Sequence, residues 1–145
     1  MLAEAIIPEG VHSKALPDLV TKLYLERGTL LRRLHAIDLR PRPIAERLHQ
    51  LEELCQSLVD YFALGHFEVF TALRTHRHGT RLRRLLSELD DPLADTARIA
   101  VEFNDRYGGE RTRRFDQLPR DIEQLRAALV ARLELEDRLL ATLRA

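Results

Sequence analysis

The chain has a single cysteine, Cys55, and no tryptophan among its 145 residues. One thiol excludes an intrachain disulfide and a thiolate cluster for zinc. Set in an apolar stretch, Cys55 reads as a small buried hydrophobe. Glycine and proline are scarce too, six of each, too few for a fold of short strands and tight turns. With aromatics at 6%, aliphatic side chains must fill the interior. A charge surplus is also missing: 23 basic residues meet 23 acidic ones. Proteins that hold nucleic acid by neutralising phosphates carry a basic excess, so direct DNA binding is not expected. All the basic residues except Lys14 and Lys22 are Arg, a bias attributed to codon composition rather than to phosphate binding. No apolar run approaches the roughly 20 residues of a membrane span, and no signal-peptide pattern opens the chain. A cytoplasmic protein without membrane contact is expected.

What is present, 45% hydrophobic and 32% charged residues, suits one globular domain with one core. Residues 1–14, with Pro8 and Gly10 and little periodicity, read as a flexible arm. Residues 15–145 read as a single all-α domain, an antiparallel up-down four-helix bundle with short extra helical segments. The first helix runs from near Leu16 to Leu39 and stops at Arg40-Pro41-Arg42-Pro43, because a residue before proline is steered out of the helical region. The second carries Ile44, Leu48, Leu51, Cys55, Leu58, Phe62, Gly65, Val69 and Ala72 at alternating spacings of four and three, the seam of a long bundle helix, and ends near His78-Gly79. A shorter piece, Arg81 to Leu89, leads to Asp90-Asp91-Pro92, where a new helix or a kink is expected. That unit reaches Tyr107 and is ended by Gly108-Gly109. The last helix shows Ile122, Leu125, Leu129, Leu133, Leu140 and Leu143 on one face, with Pro119 at its start, or kinking it if the helix begins near Phe115.

Polar residues on these seams carry information. Glu136 lies between Leu133 and Leu140, Arg27 within roughly 60° of the first helix's apolar centre, and Thr96 on the Phe103–Tyr107 face. A buried carboxylate without a partner is costly, so Glu136 is expected to pair with Arg27 or a hydroxyl. Arg27, Thr96 and Glu136 then make either an ion pair that fixes helix register or a small polar pocket that binds a ligand. The second helix has the reverse anomaly. Asp60, Leu64 and Phe67, at i, i+4 and i+7, fall roughly opposite its seam, an acidic and apolar face for a partner unless another helix or the arm covers it. Tyr61 and His66 flank the seam, where their apolar bodies pack and their polar tips reach solvent. Asp60, Tyr61, Leu64, His66 and Phe67 are the expected partner-binding set.

Catalytic and metal patterns find little support. Glu46-Arg47-Leu48-His49 has the Glu-x-x-His spacing of di-iron bundles, but Leu48 takes the seam, and the other instance, Glu9 to His12, sits in the arm. No nucleophile–base set or phosphate loop can be picked out, so neither enzymatic activity nor a cofactor or metal is expected. Arg74, His76, Arg77, His78, Arg81, Arg83 and Arg84 form the densest basic cluster. Without interleaved aromatics it reads as a solvated corner, with cations favoured near a helix C-terminus.

The run 55–70, CQSLVDYFALGHFEVF, resembles the signature of the Rsd/AlgQ family of sigma-factor regulators: a Leu-Val-Asp-Tyr core, here Leu58 to Tyr61, followed by Gly-His-Phe, here Gly65 to Phe67. The stretch Ala131 to Leu139 is similar to the family's Arg-Phe-x-Leu-Glu-Asp-x-Leu, and Leu19-Val20 with Arg27 and Leu30-Leu31 is similar to its first-helix pattern. Phe103 to Arg106 resembles the AlgQ branch. The likeness spans about residues 16–143, with Leu23 where relatives often carry Trp, and with Gly28 inside the first helix at a cost of about 1 kcal/mol. It implies a bacterial, cytoplasmic, cofactor-free helical bundle that binds the primary, sigma-70-type sigma factor chiefly through its fourth region. That region holds the helix-turn-helix that reads the −35 element, so masking it would hinder promoter recognition and holoenzyme assembly. A bundle of the same fold that binds another protein, or a small molecule around Arg27 and Glu136, is the alternative.

Overall fold

The structure, a computed structural model, describes residues 9–37, 40, 43–75, 79–109 and 115–144, and the side chains of these except 9–15, 66, 67 and 144. All regular structure among the described residues is helical. The elements are α1 (Glu9–Ala36), α2 (Ile44–Phe62), a π-helical segment (Ala63–Val69), α3 (Phe70–Thr75), α4 (Thr80–Tyr107) and α5 (Leu118–Ala141). Single 3-10 turns at Phe115–Gln117 and Thr142–Arg144 flank α5. Because α2, the π segment and α3 follow one another without a break, they form one rod, and the chain is a four-helix bundle.

Cross-helix contacts fix the direction of each neighbour. Gln50 reaches the Ala36 carbonyl at 3.2 Å and Arg33 reaches Ser57 at 2.7 Å, so the rod descends where α1 ascends. Arg106 meets Asp121 and, further along, Thr96 meets Arg132, so α5 runs against α4. Short connections leave no other order: up, down, up, down. The core is aliphatic along its length, with Leu23, Leu30, Leu51, Leu54, Leu58, Leu73, Ile122, Leu125 and Leu139 almost wholly buried.

Several expectations are corrected. Helix α1 already begins at Glu9, so residues 9–14, expected in the arm, are helical; residues 1–8 lie outside the described residues. No new helix starts at Pro92, which sits inside the continuous α4. Its ring points to solvent, while Leu82, Leu86, Leu89, Leu93, Thr96, Ala100, Phe103 and Tyr107 form an unbroken buried stripe on the opposite side. The lost bond thus falls where water can serve the freed carbonyl, and the stripe holds the helix together. Helix α4 does end at Gly108, but with φ −89° rather than a left-handed turn. Glycine is needed there for room: a Cβ would lie 2.7 Å from the Asn104 carbonyl oxygen. Pro119 occupies the first turn of α5, where its missing N–H costs nothing.

Candidate functional site

The long rod carries the structure's main irregularity. Between Ala63 and Val69 the hydrogen-bond ladder widens to i→i+5, closing with the Phe70 N–H donating to the Gly65 carbonyl. Such π turns change which side of a helix faces its neighbours and are frequent at functional sites. Here both α1 and α4 pack against the rod, so the buried arc is wider than one seam. Tyr61 is fully buried and Leu64 is 7% exposed. Leu64 therefore does not stand on an open face as its helical phase suggested, and the Tyr61 tip does not reach solvent. Helix α1 packs against the π segment beside Leu64, and Tyr61 turns to Glu136 of α5. Asp60 remains exposed and accepts a 3.0 Å bond from Gln56. The side chains of His66 and Phe67 lie outside the described residues.

Asp60 and Leu64 nevertheless share a groove. It has a volume of about 360 Å³ and is lined by Lys22, Leu25 and Glu26 from α1 and by Asp60, Ala63, Leu64 and Glu68 from the rod. Three carboxylates face one ammonium across an apolar floor. Leu25, at its rim, is 66% exposed, and Tyr24 beside it is partly exposed. An acidic rim with an aliphatic anchor fits a basic amphipathic helix better than it fits nucleic acid or an anion. The contribution of α1 is not legible in the sequence, because Leu25 and Glu26 become neighbours of Asp60 only through packing.

Directly beneath the π segment lies a buried polar network. Glu136 is 0% and Arg132 1% exposed. The Arg132 Nε donates to Glu136 Oε2 at 3.2 Å, and its Nη1 donates to Thr96 Oγ1 at 3.1 Å and to the Leu93 carbonyl at 3.2 Å. The Tyr61 hydroxyl donates to the same Glu136 oxygen in a short bond. The guanidinium lies over the Phe62 ring at 4.4 Å, with Phe70 at 5.5 Å. Gly65 closes the top: a methyl there would sit 3.4 Å from Leu23 Cδ1 and 3.8 Å from Glu136 Oε2. The hydroxyl partner expected for Glu136 is thus Tyr61. Arg27 turns instead to the half-exposed Asp137 at 2.8 Å, so Arg27, Thr96 and Glu136 do not meet; Arg132 fills the space between Thr96 and Glu136.

Arg132 is the residue that sequence reading missed. It stands one turn before Glu136, in the progression Leu118, Ile122, Leu125, Leu129, Arg132, Glu136, Leu139, whose spacing of four and three is the true seam of α5. Choosing Leu133 instead put the arginine off the seam. A second buried carboxylate, Asp121, was missed likewise. It accepts from the Tyr107 hydroxyl at 2.6 Å and from Arg106 at 2.9 Å, tying the end of α4 to the start of α5. Burial, together with the neighbouring carboxylate, pushes both Tyr61 and Tyr107 well above the usual phenol range, so each remains a donor.

Burial also raises the Glu136 pKa, against the opposing pull of the Tyr61 hydrogen bond and the Arg132 charge. The folded protein therefore holds this proton more tightly than the unfolded chain does. Its contribution to stability is present at low pH and is lost as pH rises from the ordinary glutamate range through the raised value. Glu136→Gln, which cannot titrate, should accordingly gain on the native protein as pH rises from about 4 toward 7. Urea midpoints of both proteins across that interval check it; a gap that widens in favour of the native protein as pH rises contradicts the shift.

Among the described residues, no group of three or more His, Cys, Asp or Glu side chains is placed to hold a metal ion. His49 of the Glu-x-x-His motif is largely exposed and pairs with Glu53 at 3.5 Å. Of the basic cluster, His76, Arg77 and His78 lie outside the described residues, and Arg74 pairs with Asp90. No described helix is long and apolar enough to cross a membrane.

Against this geometry, comparison with protein families matches residues 12–144 to the family described as Regulator of RNA polymerase sigma(70) subunit, Rsd/AlgQ. Comparison with curated proteins and with solved structures returned no match.

Proposed function

Since the chain belongs to the Rsd/AlgQ family, regulators of the sigma(70) subunit of RNA polymerase, we propose that it is an anti-sigma factor that binds the fourth region of the primary sigma factor. By covering the helix-turn-helix that reads the −35 element, it hinders promoter recognition and holoenzyme assembly in the cytoplasm. It acts by binding alone, with no catalytic step and no cofactor.

The observation that carries this reading is the groove between α1 and the π segment. A DNA-reading helix is basic on its exposed face, and the groove offers it Asp60, Glu26 and Glu68 around Leu25 and Leu64. Carboxylates can accept charge-assisted bonds from its arginines while the leucines bury its apolar side. DNA and this protein then compete for one surface of the sigma factor. The buried network beneath holds the rod rigid, so the groove is formed before the partner arrives and less ordering entropy is lost on binding.

Titration of the full chain with the isolated fourth region of its own sigma factor tests this. Saturable binding at micromolar or lower concentration is expected, with affinity falling as salt rises because the rim charges are exposed. Two folded proteins that fail to associate at tens of micromolar would end the proposal.

A further inference from the structure

A second groove, of reversed sign, lies where α4 begins and α5 ends. It has a volume of about 420 Å³ and is lined by Arg81, Arg84, Leu85 and Glu88 from α4 and by Arg138, Ala141 and Thr142 from the end of α5. Three guanidiniums face one carboxylate. Several other arginines are neutralised: Arg27 by Asp137, Arg74 by Asp90, Arg98 by Glu102, Arg106 by Asp121, Arg126 by Glu123 and Arg132 by Glu136. Among the described residues, none of the three guanidiniums in the groove has a carboxylate partner. In a chain with equal numbers of acidic and basic residues, three such cations are gathered in one concavity.

Helix placement accounts for it. Arg81, Arg84, Leu85 and Glu88 follow i, i+3, i+4 and i+7, so they share one face of α4. Because α5 runs antiparallel to α4, its last turn brings Arg138 beside the first turn of α4. That first turn adds to the positive field, since Gly79 provides no side-chain cap and the leading N–H groups point out of the helix. The facing carbonyls of α5 are partly taken up: the Thr142 N–H bonds the Leu139 and Leu140 carbonyls, and the Thr142 hydroxyl bonds Leu139 again.

We propose that this groove is a binding site for a small, multiply charged phosphate ligand. Guanidinium forks match phosphate oxygens in pairs, and the volume is that of a small-ligand site. Among the described residues no aromatic side chain lines it, so it recognises the phosphates and not a base or sugar ring. An extended acidic peptide fits less well, because a chain continuing along α4 past Arg84 meets Glu88 one turn later. The site is built from α4 and α5 rather than from α1 and the rod, and stands independently of the sigma-factor reading.

Calorimetric titration with inorganic tripolyphosphate in about 0.15 M salt tests it, using the full chain and three variants. One-site binding is expected for the native protein. Arg84→Glu and Arg138→Glu should each weaken it at least about tenfold, the cost of losing a charge-assisted bond. Arg83→Glu, an equal charge change on α4 outside the groove, should alter it less than about threefold, as expected for a screened exposed charge. All three positions are exposed, so unchanged melting temperatures are expected. Absence of binding at about 1 mM ligand, an equal loss with Arg83→Glu, or tighter binding of an oligoglutamate peptide than of tripolyphosphate would each overturn the assignment.

Discussion

Arg132→Met is expected to destabilise the protein by about 3–5 kcal/mol near neutral pH, the usual cost of removing one member of a buried ion pair. The guanidinium is 1% exposed and satisfies Glu136, Thr96 and the Leu93 carbonyl at once. Methionine keeps much of the stem's packing on Phe62 but leaves the Glu136 carboxylate with only the Tyr61 hydroxyl. For a chain of this length the loss corresponds to a melting temperature lower by about 10–16 °C, and it is a large share of the stability of an ordinary domain. Combining Arg132→Met with Glu136→Gln should recover part of that loss, because the second change removes the stranded charge. Urea unfolding of the native protein, both single variants and the double variant measures all four corners. A single-variant loss below about 1 kcal/mol, the range of an exposed pair, would mean that the network does not hold the helices together.

The largest effect on binding is expected from reversing the acidic rim. Asp60→Arg together with Glu68→Arg should weaken association with the fourth region of the sigma factor at least a hundredfold, since each reversal both removes an acceptor and repels a basic partner. Both residues are exposed, and among the described residues the Asp60 side chain bonds only Gln56, one turn away, so stability should change by no more than about 0.5 kcal/mol. Leu25→Ala is expected to act in the same direction by a smaller factor, as the loss of an aliphatic anchor. Titration of each variant, alongside its melting curve, provides the comparison. Unchanged affinity in a double reversal that still folds would remove the groove from the proposed interface.

These two expectations concern one piece of chain seen from its two sides. The rod presents Asp60 and Glu68 outward and Tyr61, Gly65 and Phe70 inward, with the π turn between them. The inner residues close over Arg132 and Glu136; the outer ones join α1 at the groove. A substitution at Gly65 would meet Leu23 and the Glu136 carboxylate together, so the smallest residue of the segment sits where the rod lies against both α1 and α5.

Much of this was legible from periodicity. The helix stops at the proline-rich connection and at Gly108 follow from backbone chemistry that acts within a few residues. The need of Glu136 for a partner follows from the cost of a buried carboxylate, and a hydroxyl does supply one. A new helix at Pro92, one of the two alternatives expected there, is overturned because proline's local preference for a helix start yields to the apolar stripe that runs through it. Arg132 was misread because a single-residue error in phase moved the seam of the last helix to Leu133, and an arginine beside an apolar line looks like a solvated neighbour.

The amino-acid order by itself determined an all-helical chain, the approximate ends of its helices, its family and the presence of a carboxylate in its interior, since each of these depends on spacing along one segment. Packing alone decided which arginine meets that carboxylate, that Leu64 is buried beside α1 and Tyr61 against α5, and that Asp60 shares a groove with Leu25 and Glu26. A helical wheel fixes angles within one helix and contains nothing about the rotation of its neighbours. The facing of residues far apart in sequence is set only when four apolar faces, one widened by a π turn, are buried together.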